Sequence, residues 1–167
     1  TARTFANTPA MMETFSKRFG VDYPYARYAQ VVVREFSMGG MENVTATTLT
    51  SRVLRGPAVE KFSNGCGENG EFLIAHELAH QWFGNLVTAR NWSHLWLNEG
   101  WASYAEEIWA QSACGQERYD HNLWRRRERL IASDTIESNQ PLVLRRLDQP
   151  ADIFRFNGSA IYNKGAY

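Results

Sequence analysis

The sequence predicts an α+β domain: a small mixed β-sheet packed on a central helix, followed by a helical subdomain. Three observations predict it. Runs rich in β-branched residues are confined to the early part of the chain, at Tyr28–Phe36 and Val44–Thr50. From Glu71 onward, apolar residues recur at helical spacing through three successive segments. At 167 residues the chain can bury roughly 70% of the surface its unfolded form exposes, enough for one real core.

The elements follow in order. Pro9–Phe19 reads as an amphipathic helix, with Thr8 as cap, Gly20 as stop and Met12, Phe15 and Phe19 facing a core. Tyr23-Pro24-Tyr25 is extended or a turn, because the residue before proline avoids the helical region. Tyr28–Phe36, with Gln30–Phe36 as its centre, reads as a buried strand that Gly39-Gly40 breaks. Val44–Thr50 is polar at alternate places and reads as a half-exposed strand. Arg55–Gly70, with four glycines and Pro57, is a loop. Glu71–Phe83 is a helix stopped by Gly84, with Phe72, Ala75, Leu78, Ala79 and Trp82 buried. Ser93 caps a long helix through Ala113, which Gly115 ends. A further helix covers about Glu117–Ser133, and Leu142–Leu144 carries a weak strand signal.

Composition narrows the function classes. Apolar residues make up 44% and charged residues 22%, ordinary for a globular chain. Eighteen Lys and Arg balance eighteen Asp and Glu. Zero formal charge supplies no field to attract nucleic acid or an anionic membrane, so neither is an expected partner. No apolar run approaches the ~18 residues of a membrane helix, and no membrane segment is expected in this chain. No charged-then-apolar leader opens at Thr1. Two cysteines, Cys66 and Cys114, permit at most one bridge, which excludes a disulfide scaffold and leaves their pairing open.

The chain has four histidines, and two lie four residues apart in His76-Glu77-Leu78-Ala79-His80. On a helix, positions i and i+4 share one face, about 40° apart around the axis. Two imidazoles so placed can hold one zinc ion at about 2.0–2.1 Å each. Glu77 then lies beside the open coordination position. It can take a proton from the metal-bound water, whose pKa zinc lowers toward about 7. The competing reading is a chance pair of histidines. The apolar helical flanks Ile74, Ala75, Leu78 and Ala79 favour the zinc. His94 and His121 read as surface or capping residues.

A catalytic zinc takes a third protein ligand and keeps a fourth position for water. One scheme places a histidine six residues after the second metal histidine and a glycine three before it. Leu86 and Phe83 occupy those places. The other scheme takes a glutamate from a following helix, and Glu99 is placed for it. Spacing alone equally allows an exposed helix carboxylate there. Glu106, two turns further along the same face, is placed to accept a hydrogen bond from the far nitrogen of a metal histidine, with a solvated carboxylate as the other reading. Arg125-Arg126-Arg127 with Glu128-Arg129 reads as a solvated helix face rather than an anion site.

His76 to Val87 (His-Glu-Leu-Ala-His-Gln-Trp-Phe-Gly-Asn-Leu-Val), followed by Trp96-Leu97-Asn98-Glu99-Gly100, resembles the zinc aminopeptidases typified by aminopeptidase N, a gluzincin family. The eighteen residues between His80 and Glu99 are that family's spacing. Gly39-Gly40-Met41-Glu42-Asn43 is similar to its exopeptidase motif, and Tyr162-Asn163-Lys164-Gly165 to its tyrosine motif. The four motifs stand in family order over three quarters of the chain. The resemblance implies a thermolysin-like zincin catalytic domain with one zinc ion on His76, His80 and Glu99. It implies Glu77 as general base and Tyr162 as stabiliser of the oxyanion. Glu42 would hold the substrate's free α-amino group, for which a carboxylate is the natural charge-assisted partner. Gly39, Gly40, Met41 and Asn43 would complete the substrate site, Met38 would shape the first side-chain pocket, and Val44–Thr47 would form the edge strand beneath the bound peptide.

The implied activity is hydrolysis of the N-terminal peptide bond of peptides with a free N-terminus, by a monomer. Whole family members carry a β-sandwich domain before this region and a helical domain after it. Residues 1–167 therefore read as a single partial catalytic domain, truncated at both ends. The stretch Asn64–Gly70, with Cys66, follows no family pattern. Two alternatives stay open. One is a zinc endopeptidase of the same clan, against which Gly39–Asn43 argues. The other is a zinc-binding fragment with little or no turnover.

Overall fold

In the computed structural model the described residues are 3–54, 70–133, 141–143, 149, 152, 158 and 160–167. Most of the glycine-rich loop, Cys66 included, lies outside them, as does Leu144. The α+β class holds: the described residues form a three-stranded mixed sheet and four α-helices.

Pro9 opens α1 (Thr8–Phe19), where its missing N–H has no helical partner to lose. Gly20 closes the helix in the left-handed region at φ 70°, its N–H donating to Ser16 O at 3.0 Å. Thr8 is not the cap. Asn7 takes that place in helical conformation without a side-chain cap bond, and Thr8 is the first helical residue, its hydroxyl donating to Gln30 Oε1 at 3.0 Å. Met11 and Phe15 are fully buried. The rings of Phe15 and Phe19 meet Trp82 edge-on at 6.3 and 5.6 Å.

The sheet runs β1 (Ala29–Val33), β3 (Ala46–Thr50), β2 (Gly40–Met41). β1 lies parallel to β3, from Ala29 opposite Ala46 to Val33 opposite Thr50. β2 is antiparallel, with Gly40 opposite Leu49 and Met41 opposite Thr48. The structure corrects the burial of both long strands. β1 stops at Val33 and alternates exposed with half-buried, because it is an outer strand. β3 is the central strand, and Thr47, Leu49 and Thr50 are buried. Val44 precedes β3 and is exposed, so the edge nearest the metal helix is β2 rather than Val44–Thr47.

α2 (Glu71–Ala79) starts from Gly70 at φ 88°. A Cβ there would stand 2.8 Å from the Val53 backbone, so only glycine fits. Ile74, Ala75, Leu78 and Ala79 are buried with Leu49, Val53 and Trp82 in the main core. Each such large apolar side chain contributes about 1.5–3 kcal/mol when fully buried. Regular helix ends at Ala79, four residues short of the expected Phe83. The N–H groups of Asn85, Leu86 and Val87 then bond the carbonyls of His80, Gln81 and Trp82 at 3.0, 3.2 and 2.9 Å, the wider five-residue spacing of a π-turn.

Asn91, not Ser93, caps the approach to the next helix, its Oδ1 accepting from Ser93 N–H at 3.1 Å. A single 3₁₀ turn (Trp92–His94) leads into α3 (Trp96–Cys114), which buries Ala102, Ala105 and Trp109 against α2. α4 (Gln116–Ser133) packs along α3. A π-helical turn (Ala160–Lys164) seats Ile161 and Tyr162 beside Leu95 and Trp96. Gly100 and Gly165 let this turn touch α3: a Cβ on Gly100 would lie 2.6 Å from the Gly165 carbonyl carbon. Leu142 and Val143 form a bend, not a strand. No helix among the described residues is long and apolar enough to cross a membrane.

Candidate metal centre

The i, i+4 pair on α2 turns both imidazoles toward Glu99 in the first turn of α3. His76 Nε2 lies 3.1 Å from Glu99 Oε2, His80 Nε2 3.3 Å from the same oxygen, and the two Nε2 atoms 3.1 Å from each other. Two ligands at 2.0–2.1 Å from a tetrahedral ion stand about 3.3–3.4 Å apart. The triangle therefore matches three corners of such a site. All three residues are buried. The other nitrogens are engaged elsewhere: His76 Nδ1 meets Glu106 Oε1 at 2.8 Å, and His80 Nδ1 meets Phe83 O at 2.9 Å. In the neutral rings this arrangement puts the protons on Nδ1 and turns both Nε2 lone pairs inward, the tautomer a metal needs.

The electrostatics of the metal-free centre follow from that crowding. Burial opposes a charge on His76, but the bonds to Glu106 and Glu99 outweigh it and raise its pKa to about 10. His80 is raised in the same way, burial opposing and the Glu99 bond prevailing. Burial pushes Glu99 up, yet its bonds to His76 and His80 hold it far below the usual carboxylate range. For Glu77 burial wins over the two histidines, and its pKa rises to about 7.

Glu77 lies beside this triangle, with a carboxylate oxygen within 4.8 Å of a His80 ring nitrogen, and its Oε2 is buried without a hydrogen-bond partner. A carboxylate, Glu42, closes the group: one ligand atom each from Glu42, Glu77 and His80 lies within 4.8 Å of the others. Gly40 is why the β2 backbone can come so near. A Cβ there would overlap the Glu77 carboxyl group, so any other residue would force the strand or that carboxyl to shift. A Cβ on Gly39 would meet the Leu73 side chain at 3.4 Å, and Met41 pairs with Thr48 in the sheet. Asn43 points away from the metal group: its Oδ1 accepts from Thr48 Oγ1 at 3.0 Å. Met38 is exposed.

Tyr162 comes from the far end of the chain. Its ring lies nearly parallel to His76, centroids 6.0 Å apart. Burial, then the charge of Glu99 and a hydrogen bond to it, raises its pKa well above that of a free phenol. Neither His94 nor His121 joins the centre; His121 packs near Trp124.

Sequence reasoning missed four residues, Arg126, Glu107, Gln81 and Asn85. Arg126 is not on a solvated face; it is 5% exposed. Its Nη2 donates to Glu107 Oε1 at 2.8 Å and Ser103 O at 3.3 Å, and its Nη1 to Asn163 Oδ1 at 3.3 Å and Tyr162 O at 3.5 Å. One buried guanidinium thus joins α3, α4 and the tyrosine turn. Glu107, its charge partner on α3, is also buried, and no local pattern in the sequence marks either residue as buried. Gln81 and Asn85, directly after the metal helix, both reach Glu42 O.

The family model for the peptidase family M1 domain matches residues 3–167, and the chain belongs to that family. It is 36% identical to aminopeptidase N of Canis lupus familiaris over 95% of this chain and 16% of that protein. To aminopeptidase Ey of Gallus gallus it is 37% identical, over 95% of the chain and 17% of that protein. Aminopeptidase N of Streptomyces lividans is 34% identical over 97% and 19%. Among solved structures, an M1 zinc metallopeptidase of Deinococcus radiodurans superposes with a TM-score of 0.70 at 28% identity, over 96% of this chain and 30% of that one. A point mutant of it, bound to the substrate Tyr-Ser-Ala, gives 0.67 at 30% identity, over 95% and 30%. The chain spans less than a fifth of the length of these curated relatives.

Proposed function

We propose that the chain is the catalytic region of a zinc-dependent aminopeptidase. The observation that carries the reading is the inward triangle of His76 Nε2, His80 Nε2 and Glu99 Oε2, with the partnerless oxygen of Glu77 beside it. These residues fit a single zinc ion. Bound there, zinc would polarise the scissile carbonyl and lower the pKa of the attacking water. Glu77 takes the water's proton and returns it to the leaving nitrogen, and a pKa near 7 suits both transfers. Tyr162 keeps its phenol proton at neutral pH and donates it as a hydrogen bond to the oxyanion. Glu106 holds His76 in the tautomer that leaves Nε2 free.

Glu42 accepts from the substrate's α-ammonium, while the Gly40–Met41 edge takes the peptide backbone as an added strand. An endopeptidase would have no use for a carboxylate at that place. The test is Glu77→Gln. It should lower hydrolysis of an aminoacyl anilide by at least about 100-fold while metal analysis still finds one zinc per chain. A mutant that keeps its rate removes Glu77 as the base, and a parent chain without zinc removes the reading altogether.

A further inference from the structure

An exopeptidase carboxylate selects a chain end only if it stays at a fixed distance from the metal ligands. Glu42 follows a strand of two residues, which is too short to hold it by sheet bonds alone. What holds it comes from the segment that leaves the metal helix. Gln81, directly after His80, is 0% exposed. Its Oε1 accepts the Thr45 N–H at 2.9 Å and its Nε2 donates to Glu42 O at 3.5 Å. Asn85 Nδ2 donates to the same carbonyl at 2.8 Å. Asn85 is in turn fixed to the metal helix, its N–H bonding His80 O at 3.0 Å. Thr45 has φ 63°, the sole positive φ outside glycine among the described residues. A β-branched residue takes that conformation only where its surroundings impose it, and the Gln81 bond does so here.

We propose that Gln81 and Asn85 are positioning residues that set the exopeptidase register by locking the Glu42–Thr45 turn to the His80 end of the metal helix. The proposal rests on the aminopeptidase reading. It differs from a purely structural role for a satisfied buried amide, because it couples these side chains to recognition of the substrate's amine.

The test compares the zinc-loaded chain with Gln81→Met, Asn85→Ala and the double variant Gln81→Met/Thr45→Gly. Alanine p-nitroanilide and its N-acetyl form are the substrates. Hydrogen exchange at the Thr45 amide and an NMR titration with alaninamide give readouts that need no turnover. Gln81→Met should speed Thr45 exchange and weaken alaninamide binding, each about tenfold, the size expected for one lost hydrogen bond. KM for the free-amine substrate should rise about tenfold with kcat much less affected, and the preference over the acetylated form should fall by the same factor. Asn85→Ala should move in the same direction. Thr45→Gly, which adopts the left-handed turn unaided, should restore the preference in the Gln81→Met background.

Gln81→Met and Asn85→Ala chains that hold zinc and keep parental KM, amine preference and alaninamide binding overturn the proposal. Should Gln81→Met fail to fold, the half-buried Asn85 carries the test by itself. A parent chain that cleaves the acetylated substrate equally well would instead overturn the aminopeptidase reading, while Thr45 exchange and the titration still decide the lock.

Discussion

The two halves of the site are held in different ways. On the metal side, His76 in the last turn of α2 and His80 at its C-cap face Glu99 at the start of α3, so helix geometry sets the distances. On the substrate side, Glu42 sits at the end of a two-residue strand and Tyr162 in one π-helical turn. Neither segment is long enough to place a side chain by its own backbone bonds. Each is fixed by long-range clamps instead: Gln81 and Asn85 for one, Arg126 and the Gly100–Gly165 contact for the other. Metal binding should therefore survive substitutions that ruin catalysis, and the clamps are where the two properties separate.

The sharpest way to break the contrast is at the point where the halves touch. Gly40→Ala would force a methyl group into the Glu77 carboxyl, and either β2 or the base must move. Because a positioned general base supplies about 10²–10⁴ in rate, kcat should fall about a thousandfold. The zinc content of the purified chain should stay at one. Parental kcat in this variant would mean that β2 does not press on Glu77 in solution.

Arg126→Met tests the tyrosine clamp. The substitution leaves Glu107 buried without its charge partner, and breaking a buried pair in this way costs about 3–5 kcal/mol. Denaturant unfolding of the metal-free chain should show that loss. The tyrosine turn also loses its bonds from Arg126 Nη1, so kcat should drop about tenfold, less than for deletion of the whole oxyanion donor. Zinc affinity should change much less, since no ligand is displaced. A variant that loses stability but keeps kcat would make Arg126 a structural residue alone.

What was legible in the sequence divides along the same line. His76, Glu77 and His80 could be read because helix periodicity converts spacing directly into geometry, and the i, i+4 pair indeed shares a face. Glu99 was ambiguous from spacing, because whether a carboxylate on the next helix points in or out depends on how α3 folds back on α2. Strand existence was legible and strand burial was not. β1 and β3 exchanged exposure because the order β1-β3-β2 makes the second of the two runs central. The end of α2 was misplaced because a π-turn has no signature in the apolar pattern of residues 80–84. Arg126 was misread because an arginine amid other charges looks solvated unless the buried Glu107 across the helix pair is known. Clamps of this kind join residues far apart in the chain, and local pattern carries no information about them.

The remaining prediction belongs to the metal half and leaves the covalent structure untouched, and its sign is definite. In the metal-free chain His76 has a pKa of about 10, against about 6.5 for an unfolded histidine. Its folded value is the higher one. The stability it adds through Glu106 and Glu99 is thus present in full below about pH 6.5 and fades as the pH rises through about 10. A zinc ligand must be neutral, so zinc competes with that proton. Uptake at pH 7–9 should release at least one proton per ion, and apparent affinity should rise about tenfold per pH unit in this window. Calorimetry in two buffers of different ionisation enthalpy measures the release directly. Zinc uptake without proton release would mean that Glu106 and Glu99 do not hold a charged His76 before the metal arrives. The Gln81 and Asn85 clamps contain no titrating group. Thr45 amide protection, corrected for intrinsic exchange, should then stay level over the pH range in which zinc affinity climbs, and a parallel change in both would show that the two halves are not held independently.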